Sequence, residues 1–140
     1  MIALVIFAIG FSGLYFFFAA AQKSADYAEK RMYLNLMADR IVETIASESR
    51  RVNTDPSNPF VTPTLYSGSL TSCDSSLSTT RQSWCVDLVN EVGSYNPASG
   101  VETRLVSINV DSSGLIVNVS FVIDSGKVRT YYSRKIRQAI

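Results

Sequence analysis

The first stretch of the chain, Met1 to Ala21, is apolar throughout except for Ser12 and the hydroxyl of Tyr15, and it carries no charged side chain. About twenty residues at about 1.5 Å rise each match a hydrocarbon layer of roughly 30 Å, so this stretch is long enough to cross a bilayer as a helix. It has no basic lead, it exceeds the usual apolar length of a cleaved signal peptide, and no turn separates it from the residues after Ala21. From Gln22 to Val52 there is no Pro or Gly, and Tyr27, Leu34, Met37 with Ala38, Ile41 and Ile45 recur at helical spacing. The intervening charges mix both signs; Asp26 and Lys30 are spaced to support a helix, Asp39 and Glu43 to oppose it weakly. Residues 1–52 therefore predict one continuous helix of roughly 75 Å, apolar all round over 1–21 and amphipathic over 22–52.

The remaining segment, 53–140, holds about ninety residues, enough for one small head and too few for two. Asn53 to Pro59 and the pair Thr62-Pro63 end the helix, and Phe60, Val61, Leu65 and Tyr66 anchor this connection as a short strand. Ser67 to Thr80 reads as a Ser/Thr-rich surface loop. Thr80 or Ser83 then caps a helix over Arg81 to Val92, with Trp84, Cys85, Leu88, Val89 and Val92 on its inner side and Gly93 at its end. Beyond a loop at Asn96 to Gly100, apolar residues alternate at Val106, Ile108 and Val110, then from Leu115 to Ile123, and a third run spans Val128 to Ile136. Short Gly-containing turns at Asp111–Gly114 and Asp124–Gly126 make these an antiparallel meander of at least three strands. Its apolar face needs a cover, and the amphipathic half-helix supplies one, with Leu34, Met37, Ile41 and Ile45 set against Val106, Ile108, Val117, Val119 and Phe121. The fold class is α+β, a long helix packed on a small antiparallel sheet.

The run IALVIFAIGFSGL (Ile2–Leu14) resembles the corresponding stretch of type IV pilins and secretion pseudopilins, and of PilV-type minor pilins in particular. The run LNLMADRIVETI (Leu34–Ile45) is similar to the amphipathic half of their helix. Two positions depart from that pattern: Met1 stands where the family has an N-methylated Phe, and Val5 where it has a Glu. Alignment on Gly10 implies a start a few residues inside the family pattern, so either the family's first residues precede Met1 or the chain does without the Glu, and the subunit contact attributed to that Glu is the one property put in doubt. The resemblance implies a filament subunit held in the inner membrane before assembly and carried to the cell surface by a pilus assembly machinery. Its partners are identical or related subunits. Ile2, Leu4, Val5, Ile6, Phe7, Ile9, Gly10, Phe11, Gly13, Leu14, Phe16, Phe17 and Phe18 then form the surface that meets lipid first and neighbouring helices later. Gly10 and Gly13 are where helical bonding would open on assembly. Two alternatives stand beside this: a minor pilin or pseudopilin that primes assembly, and a single-span membrane protein with a ligand-binding head. The absence of Gly or Pro between span and head favours the filament subunit.

With Lys+Arg 13 against Asp+Glu 12 and a formal net charge of +1, the composition gives no ground for nucleic-acid binding. There is no His, which excludes His-ligated metals, His general bases and Ser-His-Asp or Cys-His machinery. Two thiols complete no zinc site, so the expectation is a non-enzymatic chain without a cofactor. A head on the outer side of a membrane sits where disulfides persist, and Cys73 and Cys85 are expected to pair. The sequon Asn118-Val-Ser120 falls mid-strand and reads as chance. The basic tail of Lys127, Arg129, Arg134, Lys135 and Arg137 reads either as a solvated edge strand or as a surface for acidic groups of a neighbour.

Overall fold

A computed structural model describes residues 1–137, so 138–140, the end of the expected head, lie outside the described residues. Helix α1 (Ile2–Glu48) runs from the apolar stretch into the head, helical through both Gly10 and Gly13. Its 47 residues make a rod of about 70 Å. It ends at Glu48 instead of Val52 because the chain tightens there: the N–H groups of Arg50 and Arg51 donate to the carbonyls of Ser47 and Glu48. The buried Asn58 holds the chain in that course, its amide donating to the carbonyls of Arg51 at 2.8 Å and Val52 at 3.4 Å.

The connection is built of turns, with one 3-10 turn at Pro63–Leu65 where a short strand was expected. Proline fixes φ there and removes the donor a strand would need. Tyr66 is buried, donates its hydroxyl to the Ser57 carbonyl at 2.6 Å and sets its ring 6.3 Å from that of Trp84. The strand forms two residues later, as β1 (Gly68–Ser69), inside the stretch read as a surface loop. Leu70 follows it fully buried, its N–H donating to the Arg104 carbonyl at 2.7 Å. Helix α2 (Thr79–Val92) starts before Arg81 because Ser78, and neither Thr80 nor Ser83, is the cap that accepts from the Arg81 N–H. Trp84, Cys85 and Leu88 are buried on its inner face, while Val89 and Val92 are half-buried. A disulfide joins Cys73 to Cys85 and ties the loop to this helix, with the two Cα atoms 5.4 Å apart.

Strands β2 (Thr103–Asp111), β3 (Gly114–Ile123) and β4 (Val128–Arg137) complete an antiparallel sheet in the order β1-β2-β3-β4. Val106 pairs with Val119 and Val119 with Tyr132, which aligns the inward side chains across the sheet. Gly114 opens β3 at φ 154, and a Cβ there would collide with the Ile136 carbonyl, so the tight approach of β3 to β4 requires glycine. At the other end of this hairpin Asp124 and Ser125 both take left-handed backbone, at φ 51 and 56, a strained turn for side chains with a Cβ.

Helix α1 lies mainly across β4 and to a lesser extent across β3 and α2, so it covers one side of the sheet more than its centre. Leu34, Met37, Ile41 and Ile45 are buried together with Val106, Val117, Val119 and Phe121 in one apolar cluster, and Ile108 sits half-buried at its margin. Burying each such side chain is worth about 1.5–3 kcal/mol. One charge enters this interior: Arg104, on the inner face of β2, donates from Nη2 to the Gly93 carbonyl at 2.7 Å and so closes the C-terminus of α2. Burial pushes its guanidinium pKa down.

Candidate functional site: the two faces of the long helix

Side chains on a helix advance about 100° per residue, so the head-facing Tyr27, Leu34, Ile41 and Ile45 lie opposite Ala25, Ala28, Met32 and Leu36. The second set is exposed, Met32 and Leu36 at 64 % each. Read towards the N-terminus at alternating steps of three and four, this outer stripe continues through Ala21, Phe18, Leu14, Phe11 and Phe7, the spacing of a helix seam. Amphipathic spacing in the sequence brought out only the inner stripe. The outer one has the same period, but small alanines at three of its positions, Ala21, Ala25 and Ala28, give it little apolar bulk.

The apolar half is long and apolar enough to cross a membrane, and none of it is buried within the chain. Each large apolar residue assigned to its surface, from Ile2 to Phe18, is solvent-exposed. Gly10 and Gly13 have open space around them, which lets another helix backbone come close. The Ser12 hydroxyl donates to the Ala8 carbonyl at 3.0 Å, so the one aliphatic hydroxyl of this half is satisfied without water. Aromatic rings pair along the surface, Phe7 with Phe11 at 6.0 Å and Phe17 with Phe18 at 6.3 Å. Where the helix meets the head, a groove of about 660 Å³ opens along the outer stripe, floored by Ala28, Met32, Leu36 and Tyr132 and flanked by Arg31 and Asp39.

Ion pairs fasten the helix to the head along its length. Lys30 reaches Asp124 in the β3–β4 turn at 2.9 Å, Arg40 reaches Asp87 of α2 at 2.9 Å, and Glu43 pairs with Arg134 of β4. The Asp124 carboxylate, through its hydrogen bond, raises the Lys30 pKa against the opposing effect of burial. Tyr33 donates to the Asp87 carbonyl at 3.2 Å, and burial pushes its phenol pKa up. These pairs also revise the basic tail. Two of its residues have acidic partners earlier in the chain: Arg134 meets Glu43, and Lys135 donates to the Ser113 hydroxyl at 2.6 Å with Asp111 at 4.0 Å.

Among the described residues no group of three or more His, Cys, Asp or Glu side chains is placed to hold a metal ion. Asn118 of the sequon is half-buried in β3 and accepts from the Tyr131 hydroxyl at 3.3 Å. The feature that distinguishes this molecule is therefore a surface, a single rod whose apolar half projects from the head and whose second half keeps an apolar stripe that the head does not cover. No protein-family model, curated protein or solved structure matches this chain.

Proposed function

We propose that this chain is a structural subunit of a type IV pilus-like filament, anchored in the inner membrane by residues 1–21 and polymerising through α1 into a fibre on the cell surface. One observation carries the reading: the exposed apolar half of α1 passes without a break into a half whose outward side is also apolar, from Phe7 to Leu36. A membrane anchor alone needs no apolar stripe above the bilayer. A helix that must exchange lipid for like helices needs one, because its neighbours in a staggered polymer also contact the part beside the head. Ion pairs from Lys30, Arg40 and Glu43 to the head support the same reading, since they let the helix carry the head into the polymer in one orientation. Identical or related subunits are the partners, and no cofactor enters.

Placing Arg at Ala8 tests this. The substitution costs about 2.5 to 3.5 kcal/mol for insertion at the helix centre, part of which snorkelling recovers. In a polymer the same charge would sit among copies of the helix in every subunit, without water or a counter-charge. Fractionation of cells expressing Ala8→Arg should find the chain in the membrane and missing from sheared surface material. Normal filaments from this variant would refute polymerisation through the apolar half.

A further inference from the structure

The head end nearest the apolar half of α1 is the strained β3–β4 turn, since Asp124 pairs with Lys30 while Arg134, farther along β4, pairs with Glu43. Between this turn and the helix is a cavity of about 370 Å³ lined by Lys23, Tyr27, Lys30, Lys127 and the carboxylates Asp26 and Asp124. Lys30 is committed to both carboxylates, at 3.5 Å from Asp26 and 2.9 Å from Asp124. That leaves Lys23 and Lys127 as the ammonium groups free to meet a ligand, and Lys127 lies over the Tyr27 ring at 6.0 Å from its centroid. Arg129 adds a further positive charge beside the turn, its Nε donating to the Gly126 carbonyl at 3.1 Å.

The height of this cavity along the helix decides what that ligand is. Lys23 lies two residues beyond Ala21, about 3 Å, and Tyr27 about 9 Å beyond it. The headgroup layer extends roughly 5–7 Å past the hydrocarbon on each side, so with 1–21 in a bilayer Lys23 stands within that layer and Tyr27 just above it, which brings the lower rim of the cavity to the lipid phosphates through flexible lysine stems. Phenolic rings and lysines are the side chains that suit this layer. Resting on the bilayer placement of residues 1–21, we propose that Lys23 and Lys127 seat the phosphate of an anionic phospholipid headgroup beneath the head, with Tyr27 as the wall of the seat. The membrane-resident subunit thereby keeps the β3–β4 turn against the bilayer surface, and entry into a polymer releases that lipid.

The test uses the full chain reconstituted in phosphatidylcholine bilayers carrying trace spin-labelled phosphatidylglycerol or phosphatidylcholine, with the motionally restricted fraction of each read by electron spin resonance. Wild-type protein should favour the anionic lipid, and the preference should fall as salt rises. Lys23→Gln with Lys127→Gln should abolish it, each lysine accounting for a factor of about five. Arg50→Gln, in the turn just past the far end of α1, should leave it intact. Equal restriction of the two lipids by the wild-type chain, or an undiminished preference in the double variant, overturns the proposal while leaving the bilayer placement standing. Restriction of neither lipid overturns both. Equal restriction of the two lipids together with saturable binding of inorganic phosphate to the wild-type chain identifies a free-phosphate site and overturns the lipid assignment.

Discussion

Ile41 has no exposed surface and lies where α1 meets the sheet. Its burial was legible because Leu34, Ile41 and Ile45 share a helical period, which identifies the inner face without reference to any partner. Ile41→Asp places a carboxylate in that cluster at a cost of several kcal/mol, against a total stability of about 5 to 15 kcal/mol. The head should be unfolded at room temperature by circular dichroism, and an unchanged melting midpoint would show that Ile41 is not at the joint. Lys30 is the opposite case. Its partner Asp124 is far away in sequence, so spacing pointed only to Asp26, and the contact that does most to raise the Lys30 pKa was invisible. A raised folded pKa means that the charged lysine stabilises the fold fully below its ordinary value of 10.5 and that this contribution fades as pH climbs through the folded value. The melting-temperature gap between wild type and Lys30→Met should be constant near neutrality and shrink above pH 10.5. A gap that widens there would reverse the sign of the coupling. Arg104 was missed for a different reason: it continues the inward alternation of Val106 and Ile108, but only the fold shows that a helix end waits for its guanidinium.

The elements differed in legibility according to whether their signals are local. The meander stood out because period-2 alternation and Gly-containing turns are written within each run, and β2, β3 and β4 formed in that order. Helix α2 began earlier than expected because Thr80 and Ser83 have the side chain of a cap as much as Ser78 does, and only the fold, in which the Ser78 hydroxyl also meets the Leu65 carbonyl, shows which one serves. The two-residue β1 carries no sequence pattern at all, since it exists through pairing with Leu105 and Val106. Disulfide closure compensates for such weak local coding by holding the loop after β1 to α2. Closing a loop of this length is worth about 3 kcal/mol in the chain-entropy model, with part of the effect in the unfolded state. Cys73→Ser with Cys85→Ser should therefore lower the thermal midpoint of the head by more than about 10 °C, at about 4–8 °C per kcal/mol for a domain of this size. An equal midpoint for the oxidised and double-variant proteins would mean that the loop is held by its other contacts.

At the scale of the whole molecule the governing fact is the division of α1 into a free apolar half and a half that carries a head on one side only. The free half was fully legible, because a run of that length without charge has the length and composition of a membrane-crossing helix. The groove beside Met32 and Leu36 was not, since the sequence does not say which of two apolar stripes the head will cover. The proposed polymerisation would bring these features into one explanation, with lipid and neighbouring helices as alternating environments for a single surface. The most direct measurement is cryo-electron microscopy of filaments sheared from cells that express the wild-type chain, with side-chain density matched to residues 1–137. The filament reading requires a helical polymer made of this chain, with residues 7–36 of adjacent copies in contact at its centre and the sheets outside. Wild-type protein recovered only as membrane-embedded monomers, and absent from every sheared filament, would overturn that reading of a polymer built from this chain.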